Sequence, residues 1–260
     1  SDYPEFESPQ QHPRYTGIPT FMRAPYKEDL SGVEIALIGI PFDGGVTNRT
    51  GARHGPREIR NQSSLIRMMN QASGINPYEL CKISDAGDAW VEKPFELVGA
   101  LSEIESFFEK VHQADVIPVS AGGDHSVTLP VFRALAREHP VGMVHFDAHC
   151  DTGDDYLGSK FHHGAPFRRA VEEGLLDPKR TIQIGIRGSL NDPDVWSFSM
   201  EKGMRVSELI MEDLQKERYE LLERGTAYDW GGTSPQKRVM EDVVGCENTI
   251  LAVCNGRFPK

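Results

Sequence analysis

The chain reads as an α/β protein built on a mostly parallel sheet, and three observations carry that reading. Apolar runs of strand length recur along the sequence. Segments with helical hydrophobic spacing lie between them. The polar, glycine-rich loops follow the apolar runs, which is where open α/β sheets place their ligands. At 260 residues the chain is long enough for one large domain with a real core.

Residues 1–30, rich in Pro, Gln and aromatics without periodicity, read as an extended arm. Residues 31–205 form the α/β domain, and residues 206–260 a tail that packs on it or replaces its remainder. Val33 to Ile40 is the first predicted strand, followed by the long loop PFDGGVTNRTGARHGP. Loops of that length in compact domains are usually functional. Pro56 opens a helix from Arg57 to about Met69. Leu80 to Ser84 is a short strand. Pro94 introduces a helix from Phe95 to about His112, with Leu97, Leu101, Ile104, Phe108 and Val111 on one face. The strand of Val116, a helix from Leu129 to Glu138 and the strand of Met143 come next. Beyond them lie a helix from Ala165 to Glu173, a strand from Thr181 to Ile186, and a helix opening near Asp192. Past Met204 the pattern changes: Glu208 to Arg224 is a charged amphipathic helix candidate, and only Thr249 to Val253 looks strand-like.

Composition narrows the function classes. The chain is 38% hydrophobic and 26% charged, ordinary for a globular protein, with a formal charge of −11. That charge argues against nucleic acid and anionic membranes as partners and mildly favours a cationic substrate. No apolar run approaches the roughly 20 residues that span a bilayer. The first residues show no basic-then-apolar leader, so a cytoplasmic location is expected. The four cysteines, Cys81, Cys150, Cys246 and Cys254, have no CxxC spacing and read as reduced thiols.

The chemistry concentrates in VGMVHFDAHCD, Val141 to Asp151. Its apolar half is a strand, and Asp147, His149 and Asp151 follow at alternating positions, so a period of two would aim all three the same way. Two carboxylates and an imidazole suit a hard or borderline divalent cation. Cys150 would point the opposite way. A second half-site lies upstream, where the Val116 to Val119 run ends in SAGGDHS and delivers His125.

The motifs GGDHS (Gly122 to Ser126) and DAHCD (Asp147 to Asp151), on successive strands, resemble those of the ureohydrolases: arginases, agmatinases and guanidino-acid hydrolases. TNRTGARHGPREIR (Thr47 to Arg60) looks like the agmatinase-type loop, and FHHGAPFRRA (Phe161 to Ala170) like the family's HG segment. The resemblance covers roughly residues 30–205. It implies a three-layer α/β/α fold and two manganese ions, with a hydroxide bridging them that attacks a guanidinium carbon and releases urea and an amine. Carried over by motif, His125, Asp147 and Asp151 would hold one metal, and Asp147 and His149 the other, with Asp147 bridging. His163 matches the histidine proposed to shuttle protons to the leaving amine. His54, in the GARHGP loop, and Asp154 are substrate-binding candidates, for a small linear guanidino compound such as agmatine or guanidinobutyrate. Arg168 and Arg169 read as salt-bridge formers. A homo-oligomer is the family expectation.

The resemblance stops near Met204. The family's later S-x-D-x-D-x-x-D-P strand, with two further aspartate ligands, is not found, nor is its closing glutamate-bearing strand. Asp229, Glu241 and Asp242 are the acidic residues in that region, without the spacing. The C-terminus therefore reads as divergent or truncated, and its strands as incomplete. The alternative expectation is a catalytically impaired homologue that binds one metal or associates with other subunits. A phosphoesterase on the same D-x-H-x-D pattern is a weaker third.

Overall fold

A computed structural model describes residues 11–189, 194–207 and 249–253. The start of the arm, Asp192, the helix expected over Glu208 to Arg224, Asp229, Glu241, Asp242, Cys246 and Cys254 lie outside the described residues. The chain divides into two compact units, Ser1–Leu135 and Ala136–Lys260.

In the first unit, β1 (Ile35–Gly39) lies between β2 (Ile83–Asp88) and β3 (Ile117–Ala121), and both pairings are parallel. Alternation along β1 separates two apolar layers. Ala36 and Ile38 pack with Ala100, Ile104, Phe108 and Val111 of α3 (Leu97–Gln113) and with Ala134 of α4 (Thr128–Leu135). Leu37 and Ile83 pack instead with Phe21 and Ala24. Burying one such large apolar side chain contributes about 1.5–3 kcal/mol, so this core sets where the strand ends lie.

Two local expectations are corrected here. The helix opened by Pro56, α1, spans Gly55–Ser63 and stops well short of Met69. At its end the Ser64 hydroxyl donates to the Asn61 carbonyl, 2.8 Å, a local bond that competes with helix continuation. The strand expected from Leu80 begins only at Ile83. Pro77–Leu80 is a single helical turn, α2, because the Asn76 side chain caps it by accepting from Tyr78 N–H and Pro77 occupies its first position.

In the second unit the strand order is β6 (Arg205–Ser207), β5 (Leu176–Ile184), β4 (Val141–Phe146), β7 (Thr249–Val253), all parallel. The expected strand at Thr249 thus forms. Helices α5 (Pro166–Glu172) and α6 (Asp194–Lys202) flank this sheet, burying Phe167 and Phe198. Register sets His145 of β4 beside Gln183 of β5. Among the described residues no helix is long and apolar enough to cross a membrane.

A buried ion pair anchors the arm to the first unit. Asp85, fully buried in β2, accepts from Arg60 Nε (2.8 Å) and Nη2 (2.9 Å), from Phe21 N–H (2.8 Å) and from Gly87 N–H (2.9 Å). The Arg60 guanidinium also lies over the Phe21 ring, 4.0 Å from its centroid.

Candidate functional site

The first unit carries His125 and the long loop after β1. Asp124 caps the short 3-10 turn His125–Val127: its Oδ1 accepts from Ser126 N–H (2.7 Å) and its Oδ2 from Gly45 N–H (2.8 Å). One carboxylate thus joins the segment after β3 to the loop after β1. The glycine immediately before it is needed for the approach. Asp124 N–H donates to the Phe42 carbonyl, 2.9 Å, and a Cβ on Gly123 would overlap that same carbonyl oxygen.

Asp43 closes the loop on itself. Its buried carboxylate accepts from Gly51 N–H (2.7 Å) and Arg53 N–H (3.2 Å) and pairs with the Arg53 guanidinium. Burial pushes its carboxyl up, but the Arg53 side chain and the two amides outweigh this and hold it below its ordinary value of 3.8. A group depressed on folding stabilises the native state above its ordinary pKa and loses that contribution as pH falls through the folded value. Residues Gly51–Arg53 are therefore expected to lose amide protection against hydrogen exchange only as the pH drops below about 4. Equal protection at pH 6 and pH 3 would contradict this clamp. His54 is exposed at the end of this loop, where its N–H donates to Gly51 O at 3.1 Å.

The second unit carries the aspartate–histidine segment, and here the expected alternation fails. β4 ends at Phe146. Asp147 Oδ1 accepts from His149 N–H at 3.0 Å, an Asx turn that bends the chain off the strand line, and Asp151 takes a left-handed φ of 51°. Asp147 is buried, the His149 side chain is 57% exposed, and Asp151 is half-buried. Asp147 and His149 still meet, with His149 Nδ1 3.7 Å from Asp147 Oδ1. Gly188 supports this turn: its N–H donates to Ala148 O at 2.7 Å, and a Cβ there would overlap the His149 ring.

A functional neighbour missed in the sequence is His145. It is fully buried, and its Nε2 lies 3.3 Å from Asp147 Oδ2. The signal was its position two residues before Asp147, on the same strand face. Asp147 is therefore a buried carboxylate between two imidazoles, and with the more exposed His149 it offers a nitrogen–oxygen pair that fits a divalent first-row cation. Cys150 lies inside the second unit's core. Its fully buried thiol bonds to Ser199, and burial pushes it up to about 11.

The loop after this turn folds back through backbone bonds, Gly153 N–H to Gly164 O (2.8 Å) and Phe167 N–H to Asp151 O (3.2 Å). Within it the two histidines differ. Gly164 N–H donates to His162 Nδ1 (3.2 Å), which leaves His162 Nε2 to donate to Asp154 O (3.0 Å). His162 is thus committed to holding the loop. His163, partly buried, is its neighbour at 6.4 Å between ring centroids. The Asp154 carboxylate bonds Arg169 Nη2 at 2.7 Å, and that guanidinium holds it below the usual carboxylate range. Arg168 and Arg169 form ion pairs, as expected, also engaging Glu172 and Asp194.

These features place the chain among parallel α/β proteins that carry aspartate–histidine segments just past their strand ends. The Arginase family model matches residues 33–226, and the chain belongs to the arginase family. It is 56% identical over 207 residues to the guanidinopropionase of Pseudomonas aeruginosa, covering 79% of this chain and 65% of that protein. It is 44% identical over 200 residues to the mitochondrial guanidino acid hydrolase of Homo sapiens, covering 76% of this chain and 56% of that one. The chain thus spans less than two thirds of the length of either relative. Among solved structures, the proclavaminate amidino hydrolase from Streptomyces clavuligerus superposes with a TM-score of 0.79 at 36% identity, over 93% of this chain and 75% of that one. The fold is arginase-like α/β.

Proposed function

We propose that this chain is a manganese-dependent amidinohydrolase that cleaves a linear guanidino compound to urea and an amine. The observation that carries the proposal is the buried Asp147 carboxylate, turned out of its strand and set beside His149. Guanidino carboxylic acids are the first substrates to try, ahead of agmatine, because the 56% identical relative is named a guanidinopropionase.

His125, Asp147, His149 and Asp151 would hold manganese, with Asp147 shared between two ions. Bound manganese supplies Lewis acidity, which lets water act as a nucleophile near neutral pH. The water oxygen forms a bond to the guanidinium carbon, and the bond from that carbon to the amine nitrogen breaks. His163 carries the proton that the leaving nitrogen takes up, since imidazole is suited to that transfer near neutrality. His162 is spent on the loop and does not compete for this role. His54 and Asp154 meet the substrate, Asp154 while held by Arg169.

The test is manganese loading followed by metal analysis and urea release from 3-guanidinopropionate, 4-guanidinobutyrate and agmatine. Urea from a guanidino acid with manganese retained is the expected result. Because the later aspartate motif is not in this sequence, the metal-to-chain ratio is decisive. No urea from any of the three, with no manganese retained, would sink the proposal.

A further inference from the structure

His145 raises a question of chemistry. A fully buried imidazole 3.3 Å from the Asp147 carboxylate could itself be a metal ligand. Gln183 decides the matter. It is fully buried on β5, in register with His145. Its Nε2 lies 2.6 Å from the Cys150 carbonyl oxygen and 3.1 Å from His145 Nδ1. A carbonyl can only accept, so the group facing Cys150 must be the amide nitrogen. Turning the amide over would set two oxygens against each other. The orientation is kept although Oε1 is then buried without a hydrogen-bond partner, a cost of about 1–3 kcal/mol for a neutral group. The second amide hydrogen donates to His145 Nδ1. An imidazole that accepts at Nδ1 carries its proton at Nε2 when neutral, and Nε2–H donates to Asp147 Oδ2. Phe167 packs on the ring at 4.5 Å between centroids and fixes its plane.

We propose that Gln183 and His145 are a positioning pair: Gln183 fixes the His145 tautomer, and His145 Nε2–H orients the Asp147 carboxylate while being excluded from metal coordination. An Nε2 that bears a hydrogen offers no lone pair to a cation. Asp147 is then held at both oxygens, by His145 at Oδ2 and by His149 N–H at Oδ1. Groups that orient a ligand in this way strengthen metal binding by about 10–100-fold. The proposal rests on the reading of Asp147 as a manganese ligand.

Two measurements on the 260-residue chain test it. The first needs no metal: nitrogen-15 NMR of the metal-free protein, with His145 assigned by comparison with His145→Gln. The Nε2–H tautomer is expected, and Nδ1–H would overturn the proposal. The second is manganese affinity. His145→Leu should weaken it by about tenfold or more. His145→Gln, whose amide N–H can stand where Nε2–H stands, should recover most of that loss. Gln183→Leu, which leaves His145 intact, should weaken binding and mix the two tautomers. If His145→Gln loses manganese as fully as His145→Leu, His145 is a ligand and the proposal fails. Unchanged affinity in both Leu variants, with native circular dichroism, overturns it as well. Failure of the underlying hydrolase reading looks different, because the unaltered chain would then bind no manganese whatever its His145 tautomer.

Discussion

Asp147→Asn is expected to abolish urea release and to weaken manganese binding by more than about 100-fold, beyond the loss of about 10–100-fold that follows removal of a group supporting a ligand. The substitution barely changes shape. Its amide oxygen can still accept from His149 N–H, so the turn after β4 should persist. What disappears is the negative charge in a buried position, together with the acceptor facing His145 Nε2. An amide there would oppose one N–H with another. The loss should therefore appear in metal content by elemental analysis and in kcat, while circular dichroism remains native. If the variant retained manganese and turned over at even a tenth of the original rate, Asp147 would not be the shared ligand.

The second large effect concerns the fold. Asp85→Ala is expected to destabilise the chain by about 3–5 kcal/mol, the cost of removing one partner of a buried ion pair. Arg60 would keep its contact with Asp88 (2.7 Å) but lose both bonds to Asp85, and Phe21 N–H and Gly87 N–H would lose their acceptor. The midpoint of a urea denaturation curve measures this. Hydrogen exchange should show the amides around Phe21 opening first. A second variant, Arg60→Met in the Asp85→Ala background, should recover part of the loss, because no guanidinium is then left underpaired. A shift below about 1 kcal/mol for Asp85→Ala would put this pair in the class of weak surface contacts and refute the argument.

What was legible in the sequence, and what was not, follows from the range of the interactions involved. The α3 face of Leu101, Ile104, Phe108 and Val111 was readable because helical spacing is local, and all four residues are buried. Parallel strands followed from their alternation with helices. The turn at Asp147 was not readable as a departure from the strand. It depends on one side-chain to backbone bond, which overrides a period-two pattern that continues without a break in the letters. His145 sat unnoticed inside an apolar run, because its partner, Gln183, is contributed by the neighbouring strand through register. Asp85 is illegible in the sequence for a similar reason. An acidic residue within a short strand has no local explanation, and its counterpart, Arg60, comes from an earlier helix, α1. The site residues proposed from motifs came from resemblance, whereas the groups that hold them in place come from tertiary pairing.

The Asp43 clamp also bears on how this loop could be re-engineered. Both ends of the closure belong to the loop itself: Asp43 at its start, Gly51 and Arg53 at its end. Gly44 and Gly45 are fixed by close packing against Phe42 and Ser126, but the stretch from Val46 to Thr50 lies between anchors that do not depend on its identity. Its exposed residues Asn48 to Thr50 can be randomised or replaced as a cassette. The loop would close at the same two points each time, so its sequence could be varied without disturbing the segment that carries His125.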